Sequence, residues 1–251
     1  LQVFIGADIF PTRSNASLFA RGDLDSLLGS ELSQLLRQAD LNIFNLEVPL
    51  TDCAAPIPKC GPCLIAGTEI SSAYQKMPAH FLTLANNHIL DQGAQGLAVH
   101  DADAGCRGYR VRWRRLYKRR SPQAAYPAGW RPENRDLLLR GARFPSPRRT
   151  APAQIPLTRS IASMTLPACV RTATMIVLYH GGKERYHYPS PNLQKICRKF
   201  VRAGANSSCQ HRRCVGCKKD YRTHDRLRTG NFLFDDSDSE FWQTGLLLFC
   251  E

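Results

Sequence analysis

The chain has 251 residues, 43% of them hydrophobic, enough for one α/β domain with a substantial core. No apolar run reaches membrane-spanning length, and Leu1–Ile5 lacks the basic flank of a signal peptide, so the chain as written reads as cytoplasmic. The net charge of +13 invites a nucleic-acid partner, but 16 of the 34 basic and 3 of the 21 acidic residues lie between Ala102 and Met175, so the flanks are neutral like an ordinary soluble enzyme.

Leu1–Ile5 predicts the first strand, with Asp8 just past it in the turn. Leu24–Ala39 has apolar residues at helical spacing (Leu24, Leu27, Leu28, Leu32, Leu35, Leu36) and predicts one amphipathic helix. Leu41–Glu47 alternates and predicts a second strand ending on Asn45 and Glu47, with Pro49 stopping it. Residues 53–63 are a Pro/Cys/Gly loop, and Thr68–Met77 is a second helix. Phe81 then opens an apolar run of strand length, which breaks into Asn86, Asn87, His88 and Asp91 before Gly93. The order of strands and helices is an α/β pattern.

From about Val99 the character changes. Arg107–Arg120 is strongly basic with an interleaved Trp and Tyr, and 121–167 is rich in Pro, Ala and Arg with no sustained period of 2 or 3.6. Order returns with a buried-type strand at Met175–Tyr179, followed by His180, Gly181 and Gly182. Asn192–Ala203 predicts a further amphipathic helix, then come His211, a Gly230–Asp235 segment containing Asn231, and a last apolar strand near Leu246–Phe249.

Metal-capable residues therefore fall at successive strand ends: Asp8, Glu47, Asn87 with His88, His180 and His211. In open α/β sheets, ligands gather beyond the carboxyl ends of strands. Mixed Asp, Glu, Asn and His ligation suits Mn, Fe or Zn. Two such ions side by side clamp phosphoryl-type oxygens and activate a water.

These segments resemble the CapA family, the capsule and poly-γ-glutamate biosynthesis proteins. The resemblance is carried by Asp8–Pro11, Phe44–Thr51 with its Asn-Leu-Glu, Leu82–Gly93 with its Asn-Asn-His, Val177–Gly182 with its Tyr-His-Gly-Gly, and Gly230–Phe232. It implies a single domain over 1–251 with a metallophosphatase-like β-sandwich flanked by helices, in an α-β-β-α arrangement. It also implies Asp8 as a metal carboxylate, Glu47 as a bridging acid and Asn87 as a ligand, with His180 and His211 completing a second metal. His88 would be the catalytic general acid or transition-state donor, with Asn45, Asn86, Gly181, Gly182 and Asn231 lining the site. The implied partners are polymer-synthesis proteins, and an anionic polymer or phosphate substrate. After His211 the family pattern is Ser-His, where this chain has Arg212 and Arg213, which puts one metal site in doubt.

The resemblance stops at 99–174, where the chain reads as an aberrant basic Pro/Arg-rich segment. Read in shifted frames, stretches within 103–111, 132–142, 154–165 and 171–174 can spell family-like sequence, and so can 223–230 within a locally damaged 207–229. Out-of-frame translation would explain intact flanks and the Arg excess, and would leave the centre of the sandwich disrupted. Three rival readings stand beside this one. The fold serves as a non-catalytic binding or assembly module; the basic run 107–120 binds nucleic acid; or Cys60, Cys63, Cys214 and Cys217 hold a structural zinc.

Overall fold

The computed structural model describes residues 2–12, 14–84, 86–97, 137–143, 174–181, 190–202, 207–211, 216–220, 223–234 and 244–250. Strand β1, Val3–Ile9, is buried along its whole length. On one side it pairs in parallel with β2, Leu41–Leu46, which pairs in parallel with β3, Phe81–Thr83. Its other side is shared: β10 (Leu248–Cys250) runs antiparallel beside Val3–Ile5, and β9 (Asn231–Leu233) runs parallel beside Asp8 and Ile9.

The first strand thus runs past the predicted end at Ile5, because β9 pairs with its second half. Asp8 is consequently a strand residue and not a turn residue. The register with β2 slips by one between Ile5 and Asp8, an inserted residue at Gly6–Ala7. The slip sets Asp8, rather than Ala7, opposite Asn45. Gly6 permits it: a Cβ there would lie 2.3 Å from the Phe44 ring, which itself stacks at 4.7 Å on Phe232.

Helices α1 (Ala16–Arg21), α2 (Leu24–Leu28), α3 (Ser30–Gln38) and α4 (Ser71–Lys76) lie on one face of this sheet. The single helix expected over Leu24–Ala39 is broken at Gly29, whose φ of 77° and ψ of 153° are outside helical geometry. The helix expected over Thr68–Met77 begins as a tighter turn at Thr68–Ile70 before α4. Strand β2 is buried on both faces. Phe44 and Leu46 pack toward the helices, while Leu41 and Ile43 pack the other way, against Ile176 and Leu178.

Those two residues belong to the second sheet, ordered β4-β5-β6-β8-β7: Leu137–Arg143, Thr174–His180, Ser207–His211, Thr223–Arg228 and Gly216–Asp220. The β4–β5, β5–β6 and β6–β8 pairs are parallel, and β7–β8 is antiparallel. Tyr179, on the far face of β5, packs against Phe200 of α5 (Pro191–Arg202), whose Leu193, Ile196 and Cys197 are also buried. The result is the expected mixed α/β, metallophosphatase-like sandwich, with helices outside both sheets.

Residues 121–167 lack a regular period, yet Leu137–Arg143 form a strand paired along its length with β5. Residues 207–229, expected to be locally damaged, contain β6, β7 and β8. Apart from Leu137–Arg143 and Thr174, residues 99–174, including the basic run 107–120, lie outside the described residues, as do Gly182, Arg212, Arg213 and Cys214. The four-cysteine zinc reading therefore falls outside them too. Cys60 is exposed, and the Cys63 thiol donates to the Ile57 carbonyl at 3.3 Å. No helix among the described residues is long and apolar enough to cross a membrane.

Candidate metal centre

The carboxyl ends of β1, β2 and β3 and the first residue of β9 form one row across the first sheet: Asn231, Asp8, Asn45 and Thr83 are successive register partners. All four are buried. Glu47 follows directly after β2. From the second sheet, His180 ends β5 on the same face as Ile176 and Leu178, so sheet packing delivers its ring onto this row. Its Nε2 lies 3.2 Å from Glu47 Oε1 and its Nδ1 lies 3.6 Å from Asp8 Oδ1. Asp8, Glu47 and His180 each offer a ligand atom, all within 4.8 Å of one another.

Asparagines fix this group. Asn45 Nδ2 donates to Asp8 Oδ1 at 2.7 Å and lies 3.3 Å from His180 Nδ1. Asn86 Nδ2 donates to Asn45 Oδ1 at 3.2 Å and to the Leu46 carbonyl at 2.7 Å. Asn86 Oδ1 accepts from the backbone N–H groups of His88 and Ile89 at 3.0 and 2.9 Å, which shapes the turn after β3. Asn87 Oδ1 sits 2.8 Å from His180 Nε2. His88 Nε2 is 3.9 Å from Glu47 Oε1, and His88 Nδ1 is 2.7 Å from Asp91 Oδ2.

Burial pushes the His180 pKa down, but Glu47 and then Asp8 more than reverse this, and it is pushed up to about 9. Burial likewise pushes Asp8 up, and the His180 charge with the Asn45 amide brings it below the ordinary carboxylate value. Two buried carboxylates need a positive charge among them. Here a proton on His180 supplies it; a divalent cation would supply twice that charge.

The residues fit such an ion. Asp8 Oδ2 is buried and has no hydrogen-bond partner among the described residues, an acceptor with an unused lone pair facing a cluster of donor atoms. Two carboxylates and an imidazole, with the Asn87 amide oxygen beside them, are a borderline-to-hard donor set of the Mn, Fe or Zn type.

Of the residues singled out from sequence, Asp8, Glu47, Asn87, His88 and His180 come together, with Asn45 and Asn86 holding them. Asn231 flanks Asp8 in register, and Gly181 is buried directly after His180. His211 is the register partner of His180 on β6, which places its backbone beside the cluster. One three-residue ligand group is present among the described residues, so they assemble donors for one ion. Sequence reasoning assigned no role to Lys59 or Asp91. Asp91 stood in view within the Asn-Asn-His stretch, while Lys59 sits in an irregular loop where no periodicity marks it.

Residues 2–101 match the family described as bacterial capsule synthesis protein PGA_cap. Over that span the chain is similar to this family. The motif resemblance to capsule-synthesis proteins is thereby borne out. No curated protein matches the chain. The PGA_cap span supplies Asp8, Glu47, Asn86, Asn87 and His88, whereas His180 comes from beyond it. The candidate centre is therefore completed by a strand outside the matched span.

Proposed function

We propose that this capsule-synthesis-type chain is a metal-dependent hydrolase of phosphoester or related acyl-phosphate bonds, acting in the assembly of an anionic polymer such as poly-γ-glutamate. The observation that carries the reading is the buried Asp8–Glu47–His180 group with its unpartnered Asp8 oxygen, beside a histidine held by a carboxylate. Asp8, Glu47 and His180, with Asn87, would hold the ion. A bound divalent ion would polarise the phosphoryl or acyl group under attack and lower the pKa of a water. Asn45 and Asn86 fix the ligands. His88, with Nε2 turned toward Glu47, is placed to give a proton to a leaving oxygen. The polymer, its phosphorylated precursors and the other polymer-synthesis proteins are the partners this reading implies.

The test is a Mn²⁺ titration of the full chain together with hydrolysis of bis(p-nitrophenyl) phosphate. His180→Ala should abolish Mn²⁺ binding. His88→Ala should leave binding within a few-fold while turnover falls by about 10²–10⁴, the range for a lost general acid. Absence of Mn²⁺, Fe²⁺ or Zn²⁺ binding at millimolar concentration would sink the proposal. Binding with no turnover on any phosphoester would favour a non-catalytic assembly module.

A further inference from the structure

The loop 53–63 is tied to the turn that carries His88. The Ala55 N–H donates to Gln92 Oε1 at 2.8 Å, the Ile57 N–H to the Asp91 carbonyl at 2.9 Å, and Gln92 Nε2 to the Leu64 carbonyl at 2.9 Å. Asp91 sits at the centre of this clasp and is fully buried. Its Oδ1 accepts from Lys59 Nζ in a close ion pair. Its Oδ2 accepts from the Leu64 N–H at 2.7 Å and lies 2.7 Å from His88 Nδ1. Lys59 is mostly covered, with 18% of its side chain exposed, and its Nζ is also 3.2 Å from His88 Nδ1.

A buried carboxylate stays ionised only when paired, and the Lys59 ammonium is its counter-charge among the described residues. An ionised Asp91 can only accept. It therefore selects the His88 form with hydrogen on Nδ1, and leaves Nε2, the nitrogen facing Glu47, as the one that exchanges protons with a ligand. Without Lys59, the Asp91 carboxylate loses the partner that holds its Oδ1, and its hold on the His88 ring loosens.

We propose that Lys59 is a positioning residue that, through Asp91, fixes the ring orientation and tautomer of His88. The proposal deepens the hydrolase reading and rests on it for its kinetic consequence alone. The experiment uses the Zn²⁺-loaded full chain with Lys59→Met, Lys59→Arg and, should Lys59→Met not fold, Lys59→Gln. Ring-nitrogen NMR of His88 should show the Nδ1–H form in the wild type and in Lys59→Arg, and a mixture in Lys59→Met. The Zn²⁺ affinity should stay within about threefold in all of them. Turnover of bis(p-nitrophenyl) phosphate should fall by about 10–100-fold in Lys59→Met with KM little changed, the scale for losing a group that orients a ligand or base, and return in Lys59→Arg. Wild-type ring signals in Lys59→Met, or failure of both Lys59→Met and Lys59→Gln to fold, would overturn the proposal. If the wild type hydrolyses nothing, the hydrolase reading fails, and the ring signals still decide the role of Lys59.

Discussion

Burial drives the His180 imidazole toward its neutral form, and Glu47 and Asp8 drive it back further, to about 9. That ordering fixes a pH response for protein kept in chelator. The folded value lies above the ordinary 6.5, so the stabilisation is complete below 6.5 and is lost as pH rises through about 9. Asp8 works in the opposite sense: lowered from its ordinary 3.8, it contributes stability above that pH and loses it in acid. Thermal unfolding in chelator should therefore show a melting temperature that falls between pH 6.5 and about 9, with the loss on the order of 3 kcal/mol from His180. A melting temperature that is flat or rising across that interval would contradict the contact. Asp8, Glu47, Asn87, His88 and His180 were legible one by one, because a polar residue at the end of an apolar strand stands out against its neighbours. Lys59 and Asp91 were not, because a loop lysine becomes informative only when tertiary folding brings a buried carboxylate to it.

The elements place these side chains through one irregularity, the inserted residue in β1. It turns Asp8 to the face shared with Asn45 and His180. Gly6→Ala should press its new methyl into the Phe44 ring and cost about 1–3 kcal/mol, as over-packed cores do. Because Gly6 adjoins the slip, the same variant should also weaken Mn²⁺ binding. Urea unfolding and a Mn²⁺ titration check both effects, and an unchanged affinity in a destabilised variant would show that the slip does not depend on Gly6. The long apolar segments were readable as strands and helices to within a few residues. The break at Gly29 was not, since the apolar spacing continues across it and only the backbone reverses. Strand β4 was hidden by Arg140 and Gly141 inside its short apolar run, and β7 and β8 by their polar residues. Their pairing partners, rather than their own composition, make them strands.

At the scale of the whole molecule, the candidate centre lies where the two sheets meet, and neither sheet alone contains it. The α/β class was legible from the alternation of segments and the α-β-β-α order from the family resemblance, but the pairing of the second sheet was not, because β4 lies inside the basic segment and β6, β7 and β8 are polar. The out-of-frame reading of that segment makes a prediction of its own. Resequencing the coding DNA across codons 95–180 and 204–232 should reveal single-base insertions or deletions, and a clean read of every codon would dismiss it.

The shared edge of β1 also governs the order of events during synthesis. Strand β1 is synthesised well before β9 and β10, and its edge is closed only when they follow. Until residues 231–250 are made, the nascent chain carries an open strand beside a growing apolar face, a ready substrate for chaperones and for pairing with a neighbouring polysome product. A premature stop before residue 231 would release that state permanently, with Asp8 lacking its Asn231 neighbour and the metal centre left beside an unpaired strand.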